Sequence, residues 1–258
     1  MLDFFKHIKL SKTAKTLLLS IVLFATIAFS FNNHAERRVK NVIIEIDRTD
    51  GQYFVEEHEI ENIINANGTD PIVDKKYKHL QLKDVEKKIK SFNFVHDAQV
   101  SKDHKGNLMV FVQQRKPIAR IITAGTAGMY ICSDGYVIST SPKFTSRVLT
   151  IDGEYVPHIA TYDSLNTEQG KKYLDLLNYI DKNTFWRAQA AHLYIDQYGE
   201  VTIIPQVGKQ LIEIGLPEQL DEKFRNAELF YKKIIPAKGW DAYSKVNVKF
   251  KNQIICSQ

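Results

Sequence analysis

The chain has 258 residues, 44% of them hydrophobic and 25% charged, a balance that excludes large-scale disorder. Its net charge of +5 sits largely at the N-terminus, where Lys6, Lys9, Lys12 and Lys15 face a single acid, Asp3. The remainder is close to neutral, which argues against a nucleic-acid partner.

Behind those lysines an apolar run fills residues 17–31. It lies at the upper edge of a signal-peptide core and falls short of the roughly 20 residues of a bilayer span. Thr13, Ala14 and Thr16 can lengthen it, Lys15 can snorkel, and Asn32 and Asn33 can sit among headgroups. Ala28-Phe29-Ser30 offers a small-residue cleavage site, so hydropathy leaves a cleaved leader and a retained anchor both open. The lysines orient the segment: cleaved or retained, everything after about residue 34 lies outside the cytoplasmic membrane, and a retained anchor would be a transmembrane helix over residues 16–34 behind a cytoplasmic tail, residues 1–15. Arg37, Arg38 and Lys40 follow the run and weaken this charge bias without reversing it.

The part beyond residue 34 is large enough for one big domain or two small ones. It starts with a strand, VKNVIIEID. Ile60, Ile63 and Ile64 then take helical spacing up to Asn-Ala-Asn-Gly, where Gly68 suits a left-handed cap. Asn67-Gly68-Thr69 is formally a glycosylation sequon, but it reads as a helix-ending turn. Leu82, Val85, Ile89 and Phe92 form one stripe of a second helix whose other faces carry lysines. FVHDAQVSKD and LMVFVQQ are strands around a His-Lys-Gly-Asn turn, with Leu108, Val110 and Val112 on one face. The order β-α-α-β-β predicts a compact domain over residues 35–115, with two helices on one face of a small sheet.

From residue 116 to 258 strands dominate. ARIITA, GMYICS and YVIST are separated by turns such as Ser133-Asp134-Gly135, and RVLTID comes next. A helix then places Tyr173, Leu174, Leu177 and Ile180 at core spacing. AHLYIDQ, EVTIIPQ and QLIEIG come in hairpin-like order. A last helix carries Leu220, Phe224, Ala227, Tyr231 and Ile234 on one stripe, and SKVNVKFKNQIIC is the final strand. The fold class is α+β: a single N-terminal transmembrane helix, a small α/β domain, and a strand-rich domain with flanking helices.

Catalytic patterns fail one by one. His58-Glu59 lacks the second histidine of a zinc protease, because the position four residues on is Asn62. His79, His96, His104, His158 and His192 have no ligand spacing, so no metal or other cofactor is implied. There is no G-x-S-x-G elbow, Walker loop or dinucleotide glycine pattern, and the GTAG stretch at 125–128 is too short. Cys132 and Cys256, the two cysteines, allow at most one bridge, and neither has the cationic surroundings of a reactive thiolate. The lysine-rich stretch 75–90 is interleaved with Asp84 and Glu86 and reads as a solvated helix face, with weak contact to anionic lipid left open.

In order and architecture the chain resembles the bacterial cell-division family FtsQ/DivIB. FVEEHEIENII and LQLKDVEKKIKSFNFVHDAQVSKD look like that family's POTRA domain, and the strand-rich remainder resembles its β domain. The most specific part is the junction: Arg115, Pro117, Ile118 and Ala119 match an R-x-P-hydrophobic-Ala signature, and YICSDGYVI resembles the hairpin after it. IEIGLPEQLDEKFRNAELFY and GWDAYSKVNVKF resemble the closing passages. The chain departs at Cys132 and Ser133, where the family often has Asp, and EYVPHIATYDSLN matches no family pattern. The resemblance implies a non-enzymatic, single-pass scaffold of the divisome at the septum. Its partners would be FtsB/DivIC-like and FtsL-like division proteins, bound at the end of the β domain.

The C-terminal strand suits that role. Val246, Val248 and Phe250 fall on one face, and Lys245, Asn247, Lys249 and Lys251 on the other. As a sheet edge it would accept a partner strand by β-augmentation, or its lysines would serve only to prevent stray pairing. Exposed ion pairs contribute about 0–1 kcal/mol each, so backbone bonds and burial of Tyr231 or Tyr243 would carry the affinity, with Arg187 as an added contact. Two alternatives stand beside this reading. One is a POTRA protein of export or outer-membrane assembly that binds unfolded clients, although the remaining length leaves no room for a barrel. The other is an anchored periplasmic enzyme.

Overall fold

The computed structural model describes residues 13, 16–26, 37–48, 51–123, 125, 127–160 and 164–258. The tail lysines, the Ala28-Phe29-Ser30 triplet and Asn32 and Asn33 lie outside the described residues. The chain divides into two compact units, Met1–Asp47 with Val55–Gln113, and Arg48–Phe54 with Gln114–Gln258.

In the first unit, residues 16–26 form helix α1, whose Leu19 and Phe24 are 74% and 77% exposed. Among the described residues no helix is long and apolar enough to cross a membrane, and residues 27–34 of the expected span are not described. The small α/β domain follows the expected order: β1 (Val42–Asp47), α2 (Glu57–Ile64), α3 (Leu82–Lys90), β2 (Val95–Lys102) and β3 (Leu108–Gln114). Its sheet runs β1-β3-β2, with β1 parallel to β3. Helix α2 begins at a capping box in which the Glu56 N–H donates to the Glu59 carboxylate at 3.0 Å; two otherwise orphan donors are satisfied locally. The apolar stripes close the core, with Ile60, Ile89, Leu108 and Val112 fully buried. Asn67 and Gly68 both have positive φ in the turn after α2, in keeping with the turn reading of that triplet.

The second unit is built on one long sheet. Its strands are β4 (Pro117–Ile121), β5 (Met129–Cys132), β6 (Val137–Ser139), β7 (Leu149–Asp152), β8 (Ala190–Ile195), β9 (Val201–Pro205), β10 (Leu211–Gly215), β11 (Lys245–Asn247) and β12 (Ile255–Ser257). Among the described residues they run β12-β11-β10-β9-β8-β7-β4-β5-β6. The pairs β4–β7, β7–β8 and β10–β11 are parallel and therefore need crossovers. The β5–β6 hairpin lies in the first connection, and helices supply the other two: α4 (Val156–Ile159), α5 (Glu168–Lys182) and α6 (Thr184–Gln189) between β7 and β8, and α7 (Leu220–Leu229) with α8 (Ile235–Lys238) between β10 and β11. Thr167 caps α5 by accepting from the Gly170 N–H at 2.9 Å. Asn183 caps α6 by accepting from Phe185 and Trp186 at 2.9 and 3.1 Å. The core gathers Ile151, Trp186, Leu193, Ile203, Ile212, Phe224 and Val246, each at most 1% exposed.

Two expectations need correction, and one open possibility is closed. The last long helix is interrupted by a π turn, Phe230–Ile234. The wider turn brings Phe230 (0% exposed) and Ile235 (5%) onto the core, while Tyr231 and Ile234 of the expected stripe are only partly buried. The final strand is not continuous: residues 245–257 fold back as an antiparallel pair, β11 with β12. The Cys132–Cys256 bridge is absent, and both thiols are free; β5 and β12 stand near opposite ends of the sheet order.

Candidate partner-binding edge

The C-terminal residues singled out from sequence separate into an interior strand and its surroundings. Strand β11 pairs in parallel with β10 on one side (Leu211↔Lys245, Glu213↔Asn247) and with β12 on the other (Lys245↔Ser257, Asn247↔Ile255). The edge is therefore β12, and no strand pairs with its outer side among the described residues. Val246 and Val248 are buried as expected, whereas Phe250 is 54% exposed because the chain turns there. Asn252, at φ 56°, makes that turn; asparagine tolerates the left-handed region better than most residues. An asparagine inside an apparent strand was the available signal for the break.

The polar residues of this region are partly spent inside the domain. The Asn247 amide donates to Glu213 Oε2 at 2.9 Å, and its Oδ1 accepts from the Lys249 N–H at 3.0 Å. The Lys249 ammonium is paired with Glu200. Lys245 and Lys251 are exposed. Behind the edge lies an aromatic cluster around Tyr231: Phe185 at 5.6 Å, Trp186 at 6.1 Å, Phe230 at 5.4 Å and Trp240 at 6.3 Å between ring centroids. Tyr243 meets Phe230 at 6.4 Å. Burial pushes the Tyr231 phenol above its ordinary pKa, with the Gln189 side chain acting in the opposite direction. Ile255 and Trp240 (46% exposed) are apolar surface that sequence reading did not single out, and Phe250, expected on the apolar face of the strand, joins them in solvent. Arg187 is exposed on α6 and lines a different hollow of about 290 Å³ together with Arg147 and Gln206.

The junction residues have a structural role within the second unit. Arg115, 9% exposed at its side chain, is paired with Asp134 of the Ser133-Asp134-Gly135 turn, and its guanidinium lies 3.7 Å from the Tyr136 ring centre. The Ser133 N–H donates to Lys116 O at 2.9 Å, and the Lys116 ammonium reaches Asp181 of α5 at 2.8 Å. Pro117 faces Cys132 and Ala119 faces Ile131 in the β4–β5 ladder. The two sequence motifs of the junction are thus the two halves of one clamp. Residues 52–54 join the same region: Phe54, 2% exposed, meets Tyr130 at 5.7 Å and Phe144 at 5.0 Å, and its N–H donates to Gln114 Oε1 at 3.0 Å.

Enzymatic chemistry has two candidate features. A cavity of about 700 Å³ is lined mainly by apolar residues such as Ile121, Ile122, Val156 and Pro157. Its carboxylates are engaged: Glu154 accepts from the Tyr194 hydroxyl at 2.7 Å, and Asp152 lies 3.0 Å from His192 Nε2. His192 Nδ1 is 2.8 Å from the Thr150 hydroxyl. Thr150 and His192 are direct cross-strand neighbours, and the Ala191 carbonyl is a further acceptor for that hydroxyl at 3.2 Å. This chain of bonds ties β7 to β8. No group of His, Cys, Asp and Glu arranged to hold a metal occurs among the described residues.

Two family models match the chain. One, described as "FtsQ/DivIB, C-terminal related", covers residues 116–257; the other, described as "POTRA-like domain", covers residues 37–113. The chain belongs to the FtsQ/DivIB family. That family consists of cell-division proteins that are generally non-enzymatic. A comparison with curated proteins finds no match.

Proposed function

We propose that the protein is a bitopic divisome scaffold: anchored by residues 16–34 with its N-terminus in the cytoplasm, and working at the septum by holding FtsB/DivIC-like and FtsL-like partners at the C-terminal edge of its large sheet. The observation that carries the site is the open outer side of β12, a three-residue strand at the end of the sheet order. Its backbone groups offer a template for strand addition, and half-exposed Ile255 on β12 and Phe250 in the turn before it supply apolar surface. Lys245 and Lys251 remain available for acidic residues of a partner; Lys249 and Asn247 act chiefly by holding β11 in register against Glu200 and Glu213. Tyr231 and Tyr243 support the edge from behind.

The test is binding of the full chain in detergent to the extracytoplasmic segment of an FtsB/DivIC homologue. The N–H groups of Ile255 and Ser257 face β11, so Cys256→Pro is the change that removes a donor on the open side. It is expected to weaken binding about tenfold, roughly 1.4 kcal/mol, with the β11–β12 pair retained. Unchanged affinity in that variant would move the site elsewhere on the domain. Failure of the unaltered protein to bind would remove the function itself.

A further inference from the structure

Arg37, Arg38 and Lys40 follow the apolar run on the side where an N-in anchor has no use for positive charge. The fold shows where they go. Residues 37–40 are zipped onto the 74–77 loop: the Val39 N–H donates to Lys75 O at 2.9 Å, the Asp74 N–H to Val39 O at 2.8 Å, and the Tyr77 N–H to Arg37 O at 3.0 Å. Arg38 and Lys76 form an antiparallel bridge. On the other side the Lys40 N–H donates to Gly106 O at 2.8 Å, and the Lys40 stem lies across Gly106, where an added Cβ would stand 3.5 Å from its Cδ. Val39, fully buried, pins the segment.

With Val39 inside, Arg37, Arg38 and Lys40 are exposed, and Lys75, Lys76 and Lys105 join them from the two loops. Nearby carboxylates offset this charge only in part. Asp70 is paired with Lys75, and Asp103 accepts from the Asn107 N–H and side-chain amide at 2.6 and 2.7 Å. Asp74 offers its backbone carbonyl to the Arg38 guanidinium at 3.1 Å. Arg37, Lys40 and Lys105 have no side-chain partner among the described residues. Arg37 follows Phe31, the end of the apolar run, by six residues, at most about 20 Å of extended chain.

We propose that this cluster is a seat for the anionic phosphodiester headgroups of the outer leaflet, holding the small α/β domain against the bilayer. The proposal rests on the retained anchor. Chain length keeps the patch beside the membrane, and each cation near an anionic surface strengthens attachment several-fold, within a Debye length and subject to salt.

The experiment uses the full chain in nanodiscs of phosphatidylcholine with or without phosphatidylglycerol, read by hydrogen exchange of the 104–107 turn and the 74–77 loop. Exchange there should slow about tenfold in the anionic discs and recover in high salt. The triple variant Arg37→Gln, Lys40→Gln, Lys105→Gln should abolish the difference while leaving α3 protection unchanged, which separates lost contact from lost fold. Equal exchange in the two lipids, with the chain in the discs, overturns the lipid seat and leaves the anchor standing. Protection that appears only on adding a division partner assigns the patch to protein and also overturns it. A chain that does not enter discs at all defeats the anchor and the seat together.

Discussion

At one margin of the large sheet β6 is finished within the domain; at the other β12 is left open. Beside β6, Tyr136 forms an isolated bridge with Ser164, the Leu165 N–H donates to Gly135 O at 2.8 Å, and Arg115 clamps Asp134 beneath the turn. Val137 and Ile138 are consequently buried, while Ile255 on β12 is 48% exposed. Burying charge costs free energy unless the pair and its hydrogen bonds are complete, so the Arg115 end is built for a fixed geometry. Both margin strands have three residues and one strand neighbour; β12 differs in leaving Ile255 half-exposed. A margin meant to stay shut and a margin free to take another strand differ in this way.

The comparison breaks most sharply at Arg115. Arg115→Ala removes the ion pair with Asp134 and the contact over Tyr136; a loss of about 3 kcal/mol is expected from breaking a largely buried pair, read as a fall in the urea midpoint. A loss below 1 kcal/mol would mean the clamp is ornamental. Gly135→Ala acts on the same turn: Gly135 has φ 83°, and an added Cβ would sit 2.9 Å from Leu174 Cδ2. The expected cost is about 1–2 kcal/mol, from left-handed strain and the displaced leucine. At the open end Lys249→Ala breaks only a half-exposed pair with Glu200 and should cost about 0.5 kcal/mol, with binding of the partner segment changed little.

The thiols sharpen the contrast between the ends without a large energy. Burial, with Asp134 adding to it, pushes the Cys132 thiol up to about 12, and burial also raises Cys256, which is only half-buried on β12. Alkylation of the native protein near pH 8 should therefore mark Cys256 first and reach Cys132 only on unfolding. The fold favours the neutral Cys132 thiol, so its contribution to stability is full below the ordinary thiol pKa near 9 and fades as pH climbs toward 12. Titration of the melting temperature across that range, compared with Cys132→Ala, checks it.

Local pattern was enough for most of the architecture. Ile60, Ile89, Leu108, Val110 and Val112 sit on their expected faces because periods of 3.6 and 2 report directly which side of an element meets the core. The junction was legible as a motif, Arg115 through Ala119, and the turn as Ser133-Asp134-Gly135; that the two bind each other was not, since nothing local pairs residues that far apart. The closing strand misled because its alternation through Phe250 is the pattern of one long strand, and the single contrary sign was Asn252.

The sequence by itself determined the β-α-α-β-β unit and the apolar N-terminal segment, which rest on spacing along the chain, and it pointed to the family through short motifs in a recognisable order. Only tertiary structure decided that β11 is interior and β12 the edge, that a π turn brings Phe230 to the core, that Lys249 is occupied by Glu200, and that Arg37, Arg38 and Lys40 join loop lysines in one patch. Those outcomes depend on which strands meet across the sheet and which side chains find partners. Long-range contacts set both, and periodicity carries no record of them.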